Sequence, residues 1–289
     1  MSKLFVVIAT VGRPDLVRHT VDLLADQTRP ADHILVSTVS PADVAGLEQA
    51  RVQVEVVYAE KGLCRQRNRA LRAVADHAEI VVFLDDDFVP AIDFLENVAC
   101  LFEDMPDVVG ITGDLIADGI HNQGYTVEQA QVLIAKHAGT LNPRIKAREA
   151  LYGCNMAIRL SAAEGLWFDE ALPLYGWQED IDFTYQLARR GRLISTGLVT
   201  GVHLGSKGGR TSGKRTGYSQ IANIVYLKRK GTMQPGLGER LMRQNLLSNI
   251  AYSFRPEPHI DRRGRLIGNI IALKDWAIGR IDPRRIETM

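Results

Sequence analysis

Three consecutive aspartates, Asp85, Asp86 and Asp87, follow the apolar run Ile80–Leu84. Carboxylates this close repel one another and lose hydration, so they require positive charge among them, and a divalent cation is the simplest source. A second acidic group, Glu179, Asp180 and Asp182, follows Trp177 and Gln178. The first turn of a helix favours negative charge through the macrodipole, which accounts for acids there without any chemistry. A carboxylate held apart from a cation can also act as a general base. His203 ends another apolar run and is a residue type that completes a metal's shell. After it, Gly205 to Gly217 carries Lys207, Arg210, Lys214 and Arg215 and no acid. Gly208, Gly213 and Lys214 have the spacing of a phosphate-binding P-loop, but Arg215 stands where Ser or Thr is required for magnesium, so that motif fails. The stretch reads as a flexible basic loop able to close over a diphosphate.

The elements that must position these residues alternate. Leu4 to Ala9 predicts a buried strand, and Leu16, Val17, Val21, Leu23 and Leu24 recur at helical spacing. His33 to Ser37 predicts a second strand, Ser40 to Asp43 the turn and cap of a second helix, and Val52 to Tyr58 a third strand. Gly62 to Ala75 is a glycine-opened helix, and Ile80 to Leu84 the fourth strand, apolar on both faces. The pattern predicts an α/β fold with a mostly parallel sheet and helices on both faces, its chemistry at the carboxyl ends of the strands. Arginines on a helix are ordinarily solvated; at a helix start facing that edge, Arg65 and Arg67 can reach a phosphate or nucleobase.

Further on, Ala91 to Glu103 predicts a helix and Val108 to Ile116 a strand. Residues 117–148 hold Gly119, Gly124, Gly139 and Pro143 around one helical patch, Val127 to His137, and read as an insertion. Leu151 to Leu160 predicts a strand, and Ser161 with Glu164 has capping-box spacing. A helix opening near Glu179 and ending at Gly191 precedes a strand over Leu193 to Leu204. Helices over Tyr218–Lys230 and Leu237–Phe254 lead into the tail.

Composition excludes several classes of function. Among 289 residues, 35 Lys plus Arg balance 34 Asp plus Glu at a net charge of +1, so no global field points to nucleic acid. Cys64, Cys100 and Cys154 form no CxxC pair, which argues against a zinc site and a disulfide framework and for a cytoplasmic setting. The opening MSKLFVVIAT runs into a strand without a signal-peptide pattern, and no window approaches the ~20 apolar residues of a membrane span. From Arg255 on, eight basic residues face five acids, with Leu266, Ile267, Ile270, Ile271, Leu273 and Trp276 as an apolar set. A helix docking on the domain is the plain reading; peripheral contact at the inner face of a membrane is the sharper one. The oligomeric state is left open.

The order and spacing of VVIATVGRP, GLCRQRNRAL, FLDDD, GCNMAIR and GWQEDIDF resemble glycosyltransferase family 2, inverting nucleotide-sugar-dependent transferases of the GT-A fold, over roughly residues 3–230. The resemblance implies a catalytic domain over 1–235, with a nucleotide-binding half (1–115) and an acceptor-binding half (116–235), and a helical extension over 236–289. It makes FLDDD the DxD motif: Asp87 the direct ligand of Mn2+ or Mg2+, Asp85 a ribose or metal-shell contact, Asp86 a supporting neighbour. Thr10, Arg13, Arg65 and Arg67 would line the nucleotide pocket, with Lys207 and Arg210 closing over the phosphates and His203 a third metal ligand. Gly153 and Asn155 would lie near the transferred sugar. GWQEDIDF becomes the ED motif, with Asp180 the catalytic base and Trp177 and Glu179 on the acceptor side. The implied partners are a nucleotide sugar, in this family usually a UDP-sugar, and a saccharide or lipid-linked saccharide acceptor, as in polysaccharide or glycolipid assembly. One departure leaves the base open: Ser37, Thr38, Val39 and Ser40 replace the acidic turn that reads it in many members.

Two rivals use the same residues. Asp85, Asp87 and Val89 fit the DxDx[VT] pattern of haloacid-dehalogenase-type phosphatases, although three strands precede it and that family usually carries it on the first. A non-catalytic nucleotide-sugar-binding protein is the other, and it has no use for a base at Asp180.

Overall fold

A computed structural model gives the fold of the chain and describes residues 2–138, 140, 142–208, 211–255 and 257–289. In chain order the elements are β1 (Leu4–Ala9), α1 (Pro14–Leu24), β2 (His33–Thr38), β3 (Glu55–Tyr58), α2 (Leu63–Val74), β4 (Ile80–Asp85), β5 (Phe88–Pro90), α3 (Phe94–Asp104) and β6 (Val108–Asp118). They continue as α4 (Val127–His137), β7 (Lys146–Arg148), β8 (Asn155–Arg159), α5 (Glu179–Leu187), β9 (Arg192–His203), α6 (Gly213–Lys230), α7 (Leu237–Ser253) and α8 (Arg262–Ala277). The chain divides into two compact units. Among the described residues, no helix is long and apolar enough to cross a membrane.

The first unit comprises Met1–Lys61, Arg65–Trp167 and Gln186–Gly209 and holds the whole sheet, ordered β3-β2-β1-β4-β8-β6-β9-β5 with β7 against β9. β3, β2, β1 and β4 run parallel. β8 is antiparallel to β4 and β6, whereas β9 runs parallel to β6 and antiparallel to β5 and β7. The expected α/β architecture stands, with parallel pairing concentrated in the first four strands. Every residue from Ile80 to Leu84 is buried, as a strand covered on both faces requires. In α1, Val17, Val21 and Leu24 turn inward one turn apart behind Pro14, whose fixed φ suits a helix start. The β6–β9 ladder is irregular, with register shifts at Val108/Gly110, Gly113/Asp114 and Leu115/Ala117.

Several local expectations change. Between β2 and β3 the Ser40/Asp43 capping box forms, but it caps a 3-10 turn over Pro41–Val44 and not the expected helix. The Ser161/Glu164 box does not form, because Leu160–Ala163 is a 3-10 turn whose N-cap is Arg159. The strand expected from Leu151 begins only at Asn155.

The second unit comprises Gly62–Cys64, Phe168–Tyr185 and Arg210–Met289. Its described part shortens the loop expected up to Gly217, whose last five residues are helical. Helix α6 already begins at Gly213, with the Ser212 hydroxyl accepting from the Arg215 amide. The glycines serve close packing: a Cβ on Gly217 would lie 1.9 Å from the Arg265 carbonyl oxygen, and one on Gly268 2.1 Å from that of Lys214. Buried amides tie the three helices together, with Asn249 donating to Gln220 and Asn269 at 2.8 Å and Asn269 donating to the Gly217 carbonyl at 2.7 Å.

Lys230, ending α6, donates to Asp169 and Asp182 at 2.7 Å each. Burial raises the Asp182 carboxyl, and Lys230 and Thr232 work against that rise. Substituting Lys230→Met leaves a buried carboxyl without its cation, with an expected cost of about 2 kcal/mol. A urea midpoint equal to that of the unsubstituted protein would show the pair to be dispensable.

Candidate active site

Parallel pairing of β1 with β4 sets Ala9 beside Asp85, which brings the residues after β1 to the aspartates. Asp86 is fully buried beneath them. The Thr10 hydroxyl donates to its Oδ2 at 2.6 Å, and Arg13 lies 2.8 Å from its Oδ1. Burial pushes this carboxyl up to about 7, against the pull of Arg13 and with the repulsion of Asp87 and Asp85 added. Asp86 therefore anchors the turn from below.

Antiparallel pairing of β5 with β9 sets Phe88 opposite His203 and delivers the imidazole to the cluster. His203 Nε2 lies 3.3 Å from Asp87 Oδ1 and 3.9 Å from Asp85 Oδ2, while Nδ1 lies 2.9 Å from Asp118 Oδ1. Burial alone would lower the imidazole pKa, but Asp118 and Asp87 outweigh it and raise it to about 10. For Asp87, burial is outweighed by His203, Arg13 and the Ser206 amide, which donates at 2.8 Å, and the carboxyl falls to about 2. One donor atom each from Asp85, Asp87 and His203 lies within 4.8 Å of the others. Two carboxylates and an imidazole, already packed close, fit a divalent cation such as Mn2+ or Mg2+.

The other expected residues divide. Arg67 is buried, 3.2 Å from Asp85 Oδ1 and donating to the Gly153 carbonyl at 2.7 Å, so it braces the cluster from within. Arg65 sits 3.5 Å from Glu60 and donates to the Lys61 carbonyl. Lys207 folds onto the carbonyls of Gly119 and Ile120, at 2.9 and 3.2 Å. Asn155, expected beside the sugar, is fully buried; its carbonyl accepts from Thr112 at 2.7 Å and its amide donates to Gly113 at 3.3 Å, bracing β8 against β6. Arg210 lies outside the described residues.

In the second unit, Glu179 and Asp180 open α5, two residues after Trp177. The Ile181 amide donates to Asp180 Oδ1 at 2.8 Å, which orients this carboxylate at the helix start. Glu179 is buried, and Asn223 donates to the Trp177 carbonyl at 2.7 Å. Among the described residues, Leu174 (φ 57°) and Gln178 (φ 71°) are the only non-glycines with positive φ, and both precede α5. Such strain is costly and gathers where a structure holds side chains for a purpose.

Three further residues that support this part of the first unit were not expected at the site. Asp43 accepts from the Gly12 amide at 2.7 Å and from Thr38 and Ser40, and these bonds outweigh burial and hold its carboxyl below the usual range. A carboxylate thus does serve the turn after β2, although none was expected there; its capping-box position was the available signal. Gln66 ties the carbonyls of Thr10 and Ser37 at 2.9 Å each. Asp118 ends β6, which runs two residues past the strand expected over Val108 to Ile116, so nothing in the sequence marked it.

The sequence profile of glycosyl transferase family 2 matches residues 5–166. No curated protein sequence matches the chain. Among solved structures, S. aureus TarS 1-349 is similar, with a TM-score of 0.58 and 16% identity over 99% of this chain and 82% of that one. The mannosyltransferase PcManGT from Pyrobaculum calidifontis, in complex with GDP-Man and Mn2+, gives a TM-score of 0.51 and 17% identity over 96% of this chain and 75% of that one. GalNAc-T7 with UDP, GalNAc and Mn2+ gives 0.51 and 15% over 89% and 58%. At these identities the likeness shows the fold.

Proposed function

The chain belongs to glycosyltransferase family 2 and is a glycosyltransferase, and from that premise we propose that it is a metal-dependent, inverting enzyme moving a sugar from a nucleoside diphosphate to an acceptor hydroxyl. Membership sets aside the phosphatase and sensor readings. The observation that carries the proposal is the Asp85, Asp87, His203 cluster, whose donor atoms stand ready within 4.8 Å of one another. Structures of similar fold hold GDP-Man with Mn2+, UDP-GlcNAc, or UDP with Mn2+. A UDP-sugar is the first candidate donor and a GDP-sugar the second. Residues 1–115 serve the nucleotide, 116–235 the acceptor, and 236–289 extend the domain.

Asp85, Asp87 and His203 hold the cation, while Thr10, Arg13 and Arg67 keep the aspartates in place. Bound there, a divalent cation supplies positive charge against the diphosphate leaving group. Asp180 takes the proton from the acceptor hydroxyl as that oxygen bonds to the anomeric carbon. The carbon–oxygen bond to the diphosphate breaks, and its electron pair leaves with the phosphate. One displacement inverts the centre. Lys207 and Arg210 attract the phosphates, and Trp177 and Glu179 shape the acceptor side. A thermal-shift and hydrolysis screen of UDP- and GDP-sugars with Mn2+ tests the assignment. Binding of no nucleotide sugar, or equally tight binding without metal, would sink it.

The acceptor we propose is a saccharide or lipid-linked saccharide of polysaccharide assembly, met by a cytoplasmic enzyme at the inner face of a membrane. Support comes from the tail: Leu247 and Ile250 on α7, Phe254 just past its end, and Ile267 and Ile270 on α8 are exposed, among exposed Arg240, Arg243, Arg263 and Lys274. Apolar side chains set among cations suit an anionic bilayer, whereas two such faces would repel each other. Flotation with phosphatidylglycerol vesicles should recover the protein, and Leu247→Ser combined with Phe254→Ser should release most of it. Failure of the unsubstituted protein to float would remove the membrane from the account.

A further inference from the structure

We propose that Asp118 is a positioning residue for the cation site, its carboxylate deciding which nitrogen of His203 faces Asp85 and Asp87. The inference rests on the cation reading above and adds to it a residue outside every motif in the sequence.

Asp118 closes β6 directly opposite His203, which closes β9. Its Oδ1 lies 2.9 Å from His203 Nδ1 and also accepts from the Ile120 amide at 3.0 Å. Its Oδ2 accepts from the Tyr152 hydroxyl at 3.1 Å. With both oxygens engaged, the carboxylate cannot swing away from the ring. Tyr152 fixes the ring from a second side, edge-on with centroids 6.0 Å apart and planes at 87°. The Tyr152 backbone is held in turn, its amide 3.3 Å from the Thr112 hydroxyl.

A carboxylate only accepts, so the nitrogen it faces must carry the proton. Asp118 thereby keeps hydrogen on Nδ1, so Nε2, which faces Asp87 at 3.3 Å, is the nitrogen whose proton a cation would displace. An imidazole oriented by a carboxylate in this way is a better and better-aimed metal ligand than one free to turn. Asp118 faces the opposite edge of the ring, so it acts through His203 and not as a fourth ligand.

The test is a cycle of substitutions read by Mn2+ titration of the full chain, following the paramagnetic resonance of free Mn2+ with and without saturating UDP or GDP. Asp118→Asn keeps the size of the side chain and the acceptor for Tyr152, but its amide can donate to Nδ1 and reverse the tautomer. Mn2+ affinity should fall about 10- to 100-fold. The Asp118→Asn, His203→Ala pair should bind no more weakly than His203→Ala alone, because one residue works through the other. Tyr152→Phe, milder for folding, should weaken Mn2+ a few-fold, and again only while His203 is present. Unchanged affinity in Asp118→Asn, or losses that add with His203→Ala, would overturn the proposal while leaving the cation site standing. A wild-type chain that binds no Mn2+ would overturn both.

Discussion

Alanine in place of Asp87 is expected to abolish Mn2+-dependent binding of nucleoside diphosphates, with a loss of at least about a thousandfold, ~4 kcal/mol. The side chain supplies one of the three donors and faces His203 Nε2 at 3.3 Å, so its loss takes away an oxygen and the neighbour that holds the imidazole. It also accepts from the Ser206 amide, so part of the effect of alanine is structural. Asp87→Asn separates the two: an amide oxygen still accepts from Ser206 but brings no charge to a cation. Both substitutions should remove metal-dependent binding by titration calorimetry, and Asp87→Asn should keep the melting temperature close to that of the parent. Metal-dependent binding that survives Asp87→Asn would mean the cation sits elsewhere.

Asp180→Asn is expected to lower turnover by about 10^2 to 10^4 while leaving donor affinity within about threefold, since a general base acts in the transition state and not on the bound nucleotide. The asparagine carbonyl can still accept the Ile181 amide that orients the aspartate at 2.8 Å, so the start of α5 should survive. Water can stand in for the acceptor, which makes hydrolysis of the best nucleotide sugar from the screen a usable readout. An unchanged rate would take Asp180 out of its role and leave the ED motif as a helix-start preference.

β1, β2 and β4 were readable because each holds an apolar run that the fold buries, whereas β3, at the sheet edge with Glu55 and Tyr58 exposed, was readable from its alternation. The aspartates and His203 were readable for a related reason: they end such runs. Arg67 was read by type as a phosphate contact, but whether an arginine faces solvent or a buried carboxylate depends on tertiary packing that no spacing encodes. The stretch before Gly217 misled because glycine signals both freedom and close contact, and only the neighbouring α8 decides between them. Ser161 and Glu164 had the right spacing for a cap, yet the chain turns there as a 3-10 segment after β8. Asp118 carries no pattern of its own; its meaning comes from the strand laid beside it.

That pairing has a consequence for how the protein can change over time. Three irregularities interrupt the β6–β9 ladder before it ends with Asp118 opposite His203. Side chains alternate between faces at every residue, so each bulge contributes to which side the last pair presents. Deleting one residue near Ala117 would turn Asp118 to the far face and strand the histidine, even though the sheet could still form. Loops elsewhere can gain or lose residues cheaply, but in these two strands insertions and deletions should be tolerated only when matched, so here evolution proceeds by substitution or by paired changes of length.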